Sequence, residues 1–238
     1  SMTGIAANIV EKLGIESASL QAKLENHRVA KIIGINPASR ITCVKPAGTT
    51  SLVLGSSSGI HAWHDEYYIR RIRVGKNEAI YSYLLNNHPE LVEDEYYNPD
   101  EQAVISIPQK APVGAITRKE SVFDLLERVK QFSIRWVNNG HVDGMNTHNV
   151  SATISIKEDE WDDVAEWMWF NRHYYNGLAV LPYDGGTYKQ APFETITKEQ
   201  YNSMYSLLGS IDLTKVVENE DNTDLASEIA CAGGLCEI

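Results

Sequence analysis

Ile41-Thr42-Cys43-Val44-Lys45-Pro46-Ala47-Gly48-Thr49-Thr50-Ser51 is the stretch whose reading decides how this 238-residue chain is understood. Residues 41–44 are β-prone and Pro46 has no N–H to continue a ladder, so a short strand is predicted to end there. Gly48 lets a backbone come close to a ligand, and Thr49, Thr50 and Ser51 set three hydroxyls where the next element starts. Ala47, Gly48, Thr49, Thr50 and Ser51 are therefore a candidate phosphate cradle, in which hydroxyls and unbonded N–H groups converge on an anion. The other reading is purely local, since Ser and Thr cap helix starts with no ligand at all.

Outward from this turn, apolar periodicity alternates between the two regular types. On the N-terminal side, Ile5, Ile9, Val10 and Leu13 predict a short helix, and a second runs from Ser17 or Ser19 through Leu20, Leu24 and Val29 to Gly34. On the C-terminal side, Tyr67–Val74 reads as a strand. Asn77 caps a helix ending before Pro89, and residues 103–107 form a strand stopped by Pro108. Thr117–Glu120 and Thr197–Gln200 are capping-box patterns that open amphipathic helices. Between those helices lie an alternating strand at 149–156, a helix from Glu158 with Trp161 and Val164 facing inward, and a buried-type strand at 178–181. Strands thus alternate with helices, the pattern of an α/β domain around a largely parallel sheet or barrel.

Composition narrows the function. The net charge is −11, which argues against a nucleic-acid partner, because that binding rests on clustered Lys and Arg. The basic cluster Arg70-Arg71-Arg73-Lys76 is read as one face of a strand or a local anion site. No apolar run reaches the length of a membrane span and no secretory leader is evident, so a cytoplasmic location with no membrane partner is expected. His61 and His64, beside Asp65 and Glu66, lack an evident third ligand, and no metal site is assigned.

Residues 1–213 are expected to form the folded domain, and 214–238 an acidic, flexible tail ending in Cys231-Ala232-Gly233-Gly234-Leu235-Cys236. The paired glycines let Cys231 and Cys236 close a disulfide that is made and broken by thiol exchange. Inert thiols, or a soft-metal hook needing another chain, are the alternatives.

Taken together these stretches resemble one family. Pro46–Ser51, Ser57-Ser58-Gly59-Ile60-His61, Tyr67–Arg73, Leu181–Tyr188, Gln190–Glu194 and the terminal Cys-x4-Cys are similar to the catalytic chain of ribonucleotide reductases, most of all the adenosylcobalamin-dependent class II enzymes. The resemblance implies the C-terminal portion of a ten-stranded α/β barrel. Residues 47–51 would hold the phosphates of a ribonucleotide, with a leaning toward triphosphates. Cys231 and Cys236 would relay electrons from thioredoxin or a similar dithiol. Thiyl-radical chemistry would need the family's Asn-x-Cys-x-Glu motif, which this sequence lacks. A chain that is incomplete alone and requires the missing N-terminal part of the reductase is therefore expected. A non-enzymatic phosphate-binding or assembly module is the alternative.

Overall fold

The computed structural model describes residues 1–144, 146–183, 185, 188–208 and 211–218, without the side chains of Glu11, Thr49 and Leu52. In chain order the elements are α1 (Ile15–Ile33), α2 (Gly48–Val53), β1 (Tyr67–Gly75), α3 (Ala79–Asn87), β2 (Val92–Asp94) and β3 (Gln102–Lys110). There follow α4 (Val122–Phe132), β4 (Thr153–Ile156), α5 (Trp161–Phe170), β5 (Ala179–Pro182), β6 (Phe193–Thr195) and α6 (Lys198–Leu207). They make two compact units. One comprises Ser1–Trp63 and Pro112–Asp184, the other His64–Ala111 with the described residues from Gly185 onward.

The first unit is a run of short parallel segments backed by helices. Val44 bridges Met2 on one side and Val150 on the other, both in parallel. The chain leaving Val150 becomes β4, which pairs in parallel with β5. The alternation read in residues 149–156 is real: Val150, Ala152, Ile154 and Ile156 are all buried. Val122, Leu126, Val129 and Phe132 of α4 join them in a single core with Ile5, Ile15, Val44, Ile60 and Val164.

Several local expectations are corrected. Residues 5–7 and 10–12 form two 3-10 turns rather than one helix, because Gly4 and Asn8 adopt left-handed φ values of 69° and 58°. The box that opens α4 is Ser121 with Asp124, not Thr117 with Glu120. Asp124 N donates to Ser121 Oγ at 3.1 Å, and Ser121 N donates to Asp124 Oδ2 at 3.0 Å. Glu120 is thereby left to grip Arg128 at 2.6 and 2.7 Å, with Arg128 buried. Trp161 lies on the outer face of α5 while Val164 is buried. Expected as a buried strand, β5 leaves Leu181 exposed.

The second unit holds a four-stranded sheet in the order β2-β3-β1-β6, with every pairing antiparallel. Among the described residues parallel pairing is thus confined to the first unit, and both sheets are small and open. Pro108 does not stop β3. The β2 pairing reaches only to Ile105, so beyond it that side of β3 is an edge, where a missing N–H removes no ladder bond. Val74, Leu84, Leu91, Ala103 and Ile105 form this unit's core. Glu78, not Asn77, precedes α3 as its N-cap. The Thr197–Gln200 capping box forms as read, with Gln200 N donating to Thr197 Oγ1 at 3.2 Å.

Candidate functional site

Geometry at the turn starts from Val44. Residues 41–44 form a single bridge position, Val44, rather than a ladder; Cys43 O accepts from Met2 N at 2.9 Å, and side chains add to the tie. Trp136 Nε1 donates to Cys43 O at 3.0 Å, and His148 Nδ1 lies 3.0 Å from Thr42 O. Thr42 Oγ1 donates to Trp136 O at 2.6 Å, and a Cβ on Gly140 would overlap that threonine. The strand stub is clamped from one side before the chain turns at Pro46.

The turn itself then winds into α2. Ala47 N donates to Lys45 O at 2.9 Å and Ser51 N to Ala47 O at 3.2 Å. Ala47 and Ser51 are buried, and Ser51 Oγ bends back to Gly48 O at 2.7 Å. Gly48 and Thr50 are exposed. Of the proposed cradle, therefore, Gly48 and Thr50 face outward while Ser51 supports the turn from within. The first N–H groups of this short helix have no intrahelical acceptor.

A second loop lies against the turn. Ser56 N donates to Ser51 O at 2.9 Å. Gly59, at φ +55°, packs so closely that a Cβ there would stand 3.1 Å from Lys45 O and 3.2 Å from Pro46 Cα. Thr3 Oγ1 accepts from Gly59 N at 2.8 Å, and Ile5 N donates to Gly59 O at 3.0 Å, tying the N-terminal segment to the same loop.

His61 fastens this loop to β4. Its Nε2 accepts the Thr153 N–H at 2.9 Å, which assigns the ring proton to Nδ1, 3.1 Å from Ser58 O. Burial holds this imidazole below its ordinary pKa; the Ser58 carbonyl opposes that shift, and the positive charges of Arg118 and Arg128 add to it. His61 is thus a neutral structural tie rather than a ligand. His64, in the other unit, stacks on Phe193 at 5.4 Å and lies 3.2 Å from Thr195 Oγ1. Among the described residues, no group of three or more His, Cys, Asp or Glu is placed to hold a metal ion.

The basic cluster on β1 is absorbed within its own unit. Arg71 faces Glu93 and Glu194, Arg73 faces Glu95, Lys76 pairs with Asp94, and the Arg70 guanidinium lies 4.3 Å from the centroid of Phe193. Arg71 and Arg73 share one face of the strand, as alternation requires, whereas Arg70 lies on the other, over Phe193. Cys231 and Cys236 lie outside the described residues, as do Asp184, Gly186 and Thr187 of the Leu181–Tyr188 stretch. Nothing in the residue pattern announces the ties made by Thr3 and His61, whose hydroxyl and imidazole bond to distant backbone. Their only signal there was a polar side chain flanked by apolar ones.

No protein-family model matches the chain. It is 30% identical over 219 residues to the adenosylcobalamin-dependent ribonucleoside-triphosphate reductase of Lactobacillus acidophilus, covering 87% of this chain and 27% of that protein. The protein of the same name from Lactobacillus leichmannii is 28% identical over 88% of this chain and 28% of its own length. The one from Euglena gracilis is 29% identical over 73% and 23%. The chain thus spans about a quarter of the length of the curated relatives it matches. A crystal structure of a B12-dependent class II ribonucleotide reductase shares the fold with a TM-score of 0.66 at 24% identity, over 80% of this chain and 26% of that one.

Proposed function

Over most of its length the chain is a relative of the adenosylcobalamin-dependent ribonucleotide reductases, and on that premise we propose that it supplies part of such an enzyme's barrel. It would contribute the substrate-phosphate turn at Ala47–Ser51 and the thiol relay at Cys231 and Cys236. The single observation that carries this reading is the placement of the hydroxyl-rich turn. It follows directly on Val44, the middle segment of a parallel run Met2/Val44/Val150, and so lies at the carboxyl end of parallel strands. That is where α/β sheets hold their ligands. The same parallel run, continued by β4 and β5, fits an arc of a ten-stranded barrel whose other strands belong to the rest of the reductase.

In this reading the substrate is a ribonucleoside triphosphate, reduced in the cytoplasm to the 2′-deoxyribonucleotide, with thioredoxin or a similar dithiol as reductant. Gly48 and Thr50 meet the phosphate oxygens from the outer side of the turn. Ser51 keeps the turn closed through Gly48 O. Among the described residues the buried histidines are already engaged: the ring nitrogens of His61 bond to Thr153 and Ser58, and His88 faces Glu90 at 3.6 Å. The Asn-x-Cys-x-Glu sequence is also absent. No chemical step is therefore assigned to the cofactor in this chain; binding it falls to the remainder of the enzyme.

Incubating the chain with adenosylcobalamin, a dithiol and a ribonucleoside triphosphate is expected to give no deoxyribonucleotide. Adding the polypeptide that carries the rest of the reductase should restore product. Turnover by the chain alone, or none after that addition, would refute the reading.

A further inference from the structure

We propose that Trp136 is a positioning residue for the phosphate turn, setting the turn's entry through Cys43 O without touching a ligand. The inference rests on the phosphate reading of Ala47–Ser51 and names what holds that turn in register.

Trp136 reaches its place because the chain does not stop at the end of α4. After Phe132 it continues as a π-helical turn, Ser133–Asn138, a wider coil of the kind that recurs at functional sites. On one side this turn is bound to α1. Asn139 Nδ2 donates to Glu16 O at 2.9 Å, Arg135 pairs with the Glu16 carboxylate, and Lys23 Nζ donates to Asn139 O at 3.2 Å. On the other side it meets the strand stub. Trp136 Nε1 donates to Cys43 O while Trp136 O accepts from Thr42 Oγ1, so one residue grips two consecutive ones. Gly140, where a Cβ would overlap Thr42, lets the two segments come this close.

These two bonds are not needed to satisfy the groups they join. Cys43 O also accepts from Met2 N at 2.9 Å, and Trp136 O also accepts from Gly140 N at 3.1 Å. Nor does packing alone call for an indole, since Trp136 borders the core of Phe132, Val137 and Val150 with ring atoms that a phenyl would supply as well. What the pair adds is position. Downstream of Cys43 the backbone is tied at each step: Lys45 N donates to Met2 O at 2.8 Å, Ala47 N to Lys45 O at 2.9 Å, and Ser51 N to Ala47 O at 3.2 Å. A shift at Cys43 is therefore passed on to Gly48 and Thr50, which face outward. Hydrogen bonds weaken steeply with angle, so the affinity of the turn for a phosphate depends on that registration.

The test is calorimetric titration of the full 238-residue chain with inorganic triphosphate and with a ribonucleoside triphosphate, well below the melting temperature. The proteins are wild type, Trp136→Phe, Thr42→Val and, as a control for stability alone, Val129→Ala in the same core, each with a thermal melt. Trp136→Phe and Thr42→Val are each expected to bind both ligands about threefold to tenfold more weakly, the worth of one aimed hydrogen bond. Val129→Ala should melt earlier yet bind as wild type does. Amide hydrogen exchange in Trp136→Phe should quicken over residues 41–54 more than over 149–156, a local loosening that a general loss of stability would not produce. Wild-type affinity in Trp136→Phe, or in Thr42→Val should the first variant not fold, would overturn the positioning role and leave the turn as the phosphate site. Equal weakening in Val129→Ala would overturn it too, because affinity would then follow stability. A wild-type chain that binds neither ligand would overturn the turn and Trp136 together.

Discussion

At the scale of single residues, the site depends on Gly59 and His61, neither of which touches the proposed ligand. Gly59 combines a φ of +55° with contact on Lys45 O, so Gly59→Ala is strained both in its backbone and in its packing. A loss of about 1–3 kcal/mol in urea unfolding is expected; an unchanged midpoint would show that the loop does not rest on the turn. For His61 the sign follows from linkage. Burial holds its folded pKa below the ordinary value, so the unfolded chain takes up the proton first as pH falls. The stability contributed by the neutral ring is complete above the ordinary histidine value and is lost as pH drops from there toward the depressed one. Unfolding measured between about pH 7.5 and 5 should show this loss in wild type and a flatter profile in His61→Gln. Parallel profiles would show that His61 does not carry the dependence. Such residues were illegible beforehand for a physical reason. A histidine that accepts an amide 92 positions away looks, in sequence, like any polar residue between Ile60 and Ala62.

Among the elements, α4 and β4 were the most legible, because each shows one period without interruption. Leu126, Val129 and Phe132 at helical spacing, and Val150, Ala152, Ile154 and Ile156 at strand spacing, all reach one core. The cap of α4 lies one turn later than expected because two Ser/Thr-x-x-acid patterns, 117–120 and 121–124, follow one another, and the one next to the apolar run closes. That shift makes the Glu120–Arg128 pair possible, with side chains 12% and 5% exposed. Arg128→Met is expected to cost about 3–5 kcal/mol by removing the bidentate partner of the largely enclosed Glu120 carboxylate, while Arg128→Met with Glu120→Leu should recover most of it. Denaturant midpoints of the single and double variants decide this, and a double variant no better than the single would refute it. The candidate turn was legible as strand, proline, glycine and hydroxyls. Its weak strand was not: the pairing is limited to isolated bridges at Val44, and Met2 N and Trp136 Nε1 share Cys43 O.

Over the whole molecule, periodicity predicted which residues are apolar but not which find cover. Leu20 and Leu24 lie one turn apart on α1 and stay 48% and 54% exposed; Val53 and Leu54 after the turn are more exposed still. Surfaces of this kind favour association. Light scattering of the chain at rising concentration is expected to show growing mass, reduced in Leu20→Glu with Leu24→Lys; a constant monomer mass in wild type would contradict it. The antiparallel sheet was read as parallel because its strands are spaced like crossovers, and nothing local separates a helix that crosses from one that merely intervenes. That same spacing bears on synthesis. β1 begins at Tyr67, yet its neighbour β6 is not made until Phe193–Thr195, and the first unit waits on Ala179–Pro182. A ribosome must therefore have passed Pro182 before the first unit can close and Thr195 before β6 can join β1, and no single protease cut in a connecting segment would liberate one unit intact.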